Sequence, residues 1–511
     1  MKNILKYSKV LLVAGCLLAF NNSCTNLDEE LYSSVTFDNF FKSDEEFIAA
    51  LGAAYSSLVG LMGNHNAYWS AQEVSSDEMM IPQRGGDWYD GGQWLRMFRH
   101  EYLPTEDAFN NAWGQLFGGV SACNRLIEQF SAITGDRAAA AKAFVAELRA
   151  IRALDYYLLL DMFGNVPIVT SFKTADAAPT TQSRAAVYAF VEKELTESLP
   201  DITADVSGAT YARMTKWAVN GLLAKLYINA ERYTGTAQWD KAVTAADAII
   251  NSGKYSLEGN FFTNFKTDNS GSKENIFAIP YDKVFAQGFN LPQMTLHYES
   301  QKTFNLTDQP WNGYCSVEEF YNSFDNADVR KKSFLAGPQF SSGGTPLTDG
   351  GAEANDPDGK GLNFTPAINE HFPNCLRQAG VRIGKFEFAS GATPNLSNDF
   401  PILRLSDIML IKAEALFRKN AGDATALALV NQIRSRAAVA PLASLTANDL
   451  LAERGREMFA EGWRRQDLIR FGKYADARKW KPADAKPCLD IFPIPTAQIN
   501  ANKNLKQNSC Y

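Results

Sequence analysis

Residues 141–163 place the tightest constraint on the fold. Phe144, Leu148, Ile151, Leu154, Leu158 and Met162 recur three or four positions apart, and Gly164 with Pro167 just beyond supplies stop chemistry. A helix of this length needs other helices to cover its apolar stripe, and the chain offers them. Ser43 and Glu46 have capping-box spacing ahead of Phe47, Ala50, Leu51, Ala54, Tyr55 and Leu58 on one face. From Thr215 to Asn251 a pair of helices is expected. Trp217, Gly221 and Ala224 lie on the first member, and Trp239, Ala242, Ala246 and Ile249 on the second, before Gly253. Two helices in roughly 34 residues is the period of a tetratricopeptide-like repeat. A further pair is predicted at Arg404–Lys419 and Ala424–Arg436. Between about 256 and 400 the pattern changes to Gly, Asn, Asp and aromatic residues, interrupted by short β-prone runs such as Ile276–Tyr281. The expectation is a mostly helical, all-α fold. Tetratricopeptide-like pairs build a right-handed scaffold over 43–511, with a long loop-rich insert and a few short strands.

The N-terminus reads as processing signal. Lys2, Lys6 and Lys9 precede an apolar run, Val10–Phe20, that is too short to span a bilayer. Residues 1–23 are read as a lipoprotein signal peptide, Cys24 as the lipidated residue, and 24–42 as a tether. Val13-Ala14-Gly15-Cys16 is the better lipobox match, but cutting there would leave Leu17–Phe20 exposed. Secretion without a lipid is the plain alternative. Of the remaining cysteines, Cys123, Cys315, Cys375, Cys488 and Cys510, an odd number over so long a span makes no disulfide framework or metal cluster. At most two bridges could form, and which pairs remains open at this point.

A formal charge of -7 without clustered Lys and Arg argues against nucleic acid as a partner. HExxH, GxSxG, GxxxxGK[ST] and paired CxxC are absent. His65, His100, His297 and His371 are scattered and read as surface or loop residues, and Asn355–Gly359 reads as a turn that breaks calcium-loop spacing. With 57 acidic residues some pair of carboxylates must lie close, so a glycoside hydrolase survives only as an alternative. No catalytic residues and no cofactor are expected, with a structural calcium ion left open.

Two loop segments do carry a recognisable chemistry. Asp77–Trp94 sets Trp88, Tyr89 and Trp94 among glycines and acids, and a second cluster holds His297, Tyr298, Trp311, Asn312, Gly313 and Tyr314. Backbone of this kind belongs at a surface, with its rings exposed or half-exposed. Flat rings match the apolar C–H face of a sugar, and Asp, Asn and Arg match its hydroxyls. The candidate ligand-binding residues are Asp87, Trp88, Tyr89, Trp94, His297, Trp311, Tyr314 and Arg377. For each ring a scaffold-covering role competes, most of all for Trp94 and Tyr298.

Five stretches resemble SusD/RagB-like outer-membrane nutrient-binding proteins. These are Cys24–Asp28, Glu147–Pro167, Arg213–Lys216, Arg404–Ile408 leading to Ala413–Ala415, and a C-terminal block. The block comprises Glu453-Arg454, Glu457, Glu461-Gly462, Arg464-Arg465, Asp467-Leu468, Arg470, Phe492–Pro495 and Asn504–Tyr511. The resemblance implies a helical fold of four tetratricopeptide-like units whose variable loops hold the ligand. It further implies a cell-surface lipoprotein, not an enzyme, that captures oligosaccharides and delivers them to a SusC-like TonB-dependent transporter. An adaptor for peptide or other non-sugar cargo is the competing reading. The Gly-Gly-Asp-Trp segment resembles a binding loop in members thought to take plant or fructan-type glycans. Arg454, Glu457, Arg464 and Asp467 are expected to form ion pairs within the scaffold.

Overall fold

The computed structural model describes residues 41–174, 176–484 and 486–511. The signal peptide at 1–23, Cys16, Cys24 and all of the tether but residues 41–42 lie outside them. The chain divides into two units, Met1–Glu46 and Phe47–Tyr511. In the first, Ser43 Oγ accepts the Glu46 N–H at 3.4 Å and Glu46 Oε2 accepts the Ser43 N–H at 3.0 Å, the anticipated capping box. It opens helix α1, Asp44–Tyr55.

The second unit is built on helices that pack in sequence. α2 (Tyr68–Val74), α3 (Asp107–Ser131), α4 (Ala138–Phe163), α5 (Arg184–Ser198), α6 (Lys216–Ile228) and α7 (Trp239–Ile250) lie side by side. α7 then packs on α9 (Leu405–Lys419), which packs on α10 (Ala424–Arg436) and α11 (Ala447–Met458). Some 150 residues separate α7 from α9 in sequence while the helices touch, so the segment between them is an insert looped out of an unbroken stack. α4 starts three residues earlier than its stripe predicts, because Ala138–Ala140, exposed or half-buried, are good helix formers that add nothing to the stripe. α3 carries a buried stripe of Phe109, Trp113, Leu116, Val120 and Cys123 in which Gly119 is the one glycine. At Gly119 the gap is required, since a Cβ would meet Asp155 Oδ2 at 2.5 Å and Ser57 Oγ at 2.7 Å. Among the described residues no helix is long and apolar enough to cross a membrane.

The insert holds short elements. β2 (Asn275–Ile279) pairs antiparallel with β4 (Phe400–Arg404), which runs directly into α9. β1 (Met79–Met80) pairs antiparallel with β3 (Cys315–Ser316), with Met80 opposite Cys315. Cys488 and Cys510 form a disulfide, while Cys123, Cys315 and Cys375 are free and buried. Asn355–Gly359 is a turn, closed by the Gly359 N–H on the Asp356 carbonyl.

The charged C-terminal block lies inside the fold. Arg404 bonds Glu274 at 2.6 Å, Glu457 at 3.0 Å and Glu461 at 2.5 Å, and Arg330 joins Glu453 and Glu457 to Asp328. Asp407 takes Lys225 at 2.6 Å and Arg454 at 3.0 Å, and Asp467 takes Arg454 and Arg470. Arg464, on α12 (Arg464–Arg470), holds Asp77 at 2.6 Å. Burial pushes the Asp467 carboxyl up, but Arg454 and Arg470 outweigh it and hold it at about 2. Beside this lattice two acids face each other without a cation bonded to either. The Glu73 carboxyl caps the Gly462 N–H and the Glu78 carboxyl caps the Ala460 N–H. Burial raises Glu73 to about 7, and burial together with Glu73 raises Glu78 well above its ordinary value, so the pair shares a proton.

Candidate functional site

The two-residue β1–β3 ladder assembles the site. Because the strands run antiparallel, the chain leaving Met80 and the chain entering Cys315 emerge from the same end, and Trp88 and Trp311 come together from 223 residues apart. The second loop is fixed from beneath. The N–H groups of Trp311, Asn312, Gly313 and Tyr314 bond the carbonyls of Gln293, Leu296 and Met294, at the end of α8 (Leu291–Thr295). Arg84, almost fully buried, donates to the Asn312 carbonyl at 3.1 Å and the Gly313 carbonyl at 2.8 Å, and Arg382 donates to Asn312 Oδ1 at 2.7 Å.

On this floor lies a shallow recess of about 470 Å³, lined by His65, Asp87, Trp88, Asp90, Tyr298, Gln309, Pro310 and Trp311. The Trp88 indole donates to the Trp311 carbonyl at 2.7 Å, and the two rings lie 6.4 Å apart with Trp311 40% exposed. Gly313 is where Trp88 rests, since a Cβ there would meet the indole at 2.3 Å. His65 stands edge-on to both tryptophans, at 5.5 and 5.9 Å. Burial pushes its imidazole below the ordinary value, Asp90 opposing, so it is neutral at pH 7. Tyr298 donates to Asp87, and burial with that bond pushes its phenol up to about 12. The lining therefore offers rings, two acids and hydroxyl or amide groups, with no Lys or Arg.

Four of the eleven described non-glycine residues with left-handed φ angles lie around the same place. Asn66, Trp88, Asp90 and Asn312 all have left-handed φ angles, 62°, 63°, 42° and 56°. For a residue as bulky as Trp this is a true outlier, held only where surroundings dictate it, and such outliers concentrate at functional sites.

Of the sequence candidates, Asp87, Trp88 and Trp311 line the recess. Tyr89 does not; its ring, 49% exposed, packs 6.1 Å from Phe372 outside it. Trp94, His297 and Tyr314 are fully buried and have no surface to offer a ligand in this arrangement. They support the lining instead. Trp94 donates to Asp90 at 2.7 Å, and Tyr314 lies edge-on to Trp88 at 5.6 Å. His297 Nδ1 accepts the Glu299 N–H, so the proton sits on Nε2 and is donated to Asp349 at 3.1 Å. Arg377 ion-pairs with Asp349 at 2.8 Å and stacks on the Tyr298 ring at 4.6 Å, acting through Tyr298. His100, His297 and His371 lie in loops, as one half of the reading has it, but are buried and not at the surface, because each ring is packed against neighbouring aromatics. His65, Asp90, Gln309 and Pro310 were not candidates. The only signal for His65 was its setting in the polar turn Gly63–Asn66. Among the described residues no group of three or more His, Cys, Asp or Glu could hold a metal ion.

Comparison with known proteins gives one consistent answer. A family model described as "Starch-binding associating with outer membrane" matches residues 27–228, and one described as "SusD family" matches 377–511. The chain is 25% identical to the starch-binding protein SusD of Bacteroides thetaiotaomicron, over 88% of this chain and 86% of that one. It is 23% identical to a SusD-like protein of Bacteroides ovatus, over 91% and 83%. The fold matches that of surface glycan-binding protein A from Bacteroides thetaiotaomicron in complex with laminarihexaose. That match has TM-score 0.74 and 23% identity, and covers 91% of this chain and 99% of the other. A laminarin-binding SusD-like protein matches with TM-score 0.73 and 22% identity, over 92% and 100%.

Proposed function

The chain belongs to the SusD family, binding proteins rather than enzymes, and from that premise we propose that it captures a neutral oligosaccharide in the recess between Trp88 and Trp311. One observation carries this reading: two half-exposed indoles, held at fixed angles by a hydrogen bond between their loops, beside two acids in a lining that contains no Lys or Arg. The rings stack on sugar faces while Asp87, Asp90 and Gln309 take hydroxyls. No bond is broken. Asp87 and Asp90 repel carboxylated or sulfated glycans, which sets the preference for neutral ones. Among the similar proteins, one is named for starch and two for laminarin or its hexaose, all uncharged glucans.

In the cell, the protein is held at the outer membrane by lipid on Cys24 and hands its cargo to a SusC-like transporter. Its N-terminal signal and the family's outer-membrane association support this. The test is a glycan array on the form lacking residues 1–24, with Trp88→Ala and Trp311→Ala alongside. Binding to neutral glycans that both variants weaken is the expected result. Silence across the array, or binding indifferent to both changes, would overturn it.

A further inference from the structure

A second cavity lies away from the tryptophan recess and shares no residue with it. About 440 Å³ in volume, it sits between the turn at 206–212, Lys254–Tyr255 and the strand β2. That size is within the range of small-ligand sites. Its floor contains an anomaly. Asn275 is only 8% exposed, yet neither its amide nitrogen nor its amide oxygen has a hydrogen-bond partner. A buried amide left unpaired is costly, and Asn275 lines the cavity, so a turn of its side chain would bring the amide to a partner held there. Around it stand the half-buried rings of Tyr211 and Tyr255, while Lys254 and Lys273 are exposed at the rim. Among the described residues neither ammonium has an ion-pair partner, and the lining contains no Asp or Glu. The acids nearest the lining are already engaged, Asp399 by the Tyr211 hydroxyl, Asp205 by the Ser207 hydroxyl and Asp268 by the Ser270 hydroxyl, so the two rim ammoniums are the charges left without an ion pair.

We infer that this cavity is a second saccharide site, selective for a sugar unit bearing a carboxylate or sulfate group. The Asn275 amide, one donor side and one acceptor side, pairs with adjacent hydroxyls; Tyr211 or Tyr255 covers a ring face; Lys254 and Lys273 neutralise the anionic group. An extended peptide adding to the free edge of β2 fits less well. The pairing of that strand shifts register at Asn275/Phe277 and again at Phe277/Ala278, which breaks the regular ladder a peptide strand needs.

The inference does not depend on the recess, and its test separates the two. Full-length protein is titrated calorimetrically with oligouronides, with sulfated galactan oligosaccharides, and with neutral oligosaccharides of equal length. The first two arms distinguish a carboxylate from a sulfate as the group recognised. The expected result is binding of at least one anionic series. Lys254→Ala/Lys273→Ala should weaken it tenfold or more, Asn275→Leu should weaken it comparably, and Trp88→Ala/Trp311→Ala should leave it unchanged. The lysine changes are on the surface and spare the fold, so the test stands even if Asn275→Leu misfolds. Absence of binding to every anionic sugar at millimolar concentration would overturn the inference. So would binding that survives the lysine changes or vanishes with the tryptophans, and so would capture of extended peptides in place of sugars.

Discussion

The lattice around Arg404 and the recess around Trp88 use polar residues in opposite ways. In the lattice, arginines and acids are fully buried and each charge has several partners, so the groups are spent on one another. In the recess, the acids and rings are left partly unspent at the surface and the backbone carries the strain. Closely spaced arginines and acids therefore mark scaffold here, and a stretch rich in glycine and large rings marks the site.

The sharpest way to break that contrast is to remove a lattice member. Arg404→Ala takes from Glu274, Glu457 and Glu461 a cation that all three share, and should cost about 3–5 kcal/mol by denaturant unfolding, without any direct effect on sugar affinity. Trp88→Ala should do the converse. Affinity for a cognate glycan falls about tenfold, or about 1.4 kcal/mol, in affinity electrophoresis, while unfolding free energy changes by less than about 1 kcal/mol. Gly313→Ala sharpens the point by leaving both indoles present. Its Cβ would occupy the place where Trp88 rests, so the ring must shift, and a several-fold loss of affinity is expected from position alone.

The smallest effect lies in the acid pair beside the lattice. Glu73 has its carboxyl raised from 4.5 to about 7, so the folded protein holds a proton there that the unfolded chain releases. The stability this brings is complete below pH 4.5 and is lost as pH rises to 7. Glu73→Gln keeps an acceptor for the Gly462 N–H and removes the titration. Its melting temperature should gain on the wild type across that window and level off above it. Equal pH profiles for the two proteins would dispose of the shared proton.

How far the sequence discloses each region follows from the same contrast. Helical stripes and stop signals at α4, α6, α7, α9 and α10 are local, and the structure follows them closely. The recess is non-local. Trp88 announces itself by its glycine-rich setting and Trp311 by a polar stretch with Gly313 beside it, but whether a neighbouring ring faces solvent or the floor depends on pairings 200 residues away. That is why Tyr314 could not be told from them, and why Tyr298, weighed toward a scaffold role together with Trp94, lines the recess while Trp94 is buried as weighed. His65 is recruited from a third segment altogether, held by its N–H on Asn290. That Arg454, Glu457, Arg464 and Asp467 are ion-paired was legible, but their spacing did not give the partners: Arg454 takes Asp407 and Asp467, Glu457 takes Arg330, Arg404 and Arg436, and Arg464 takes Asp77.

The two-residue ladder between β1 and β3 also governs when the protein can first work. A ribosome adding residues in order finishes Trp88 long before Cys315 exists, so a partly made chain has one half of the indole pair and nothing to set it against. Cargo cannot be seized during synthesis or export. The grip comes into being only after the whole insert has been threaded and its far end has returned to its start.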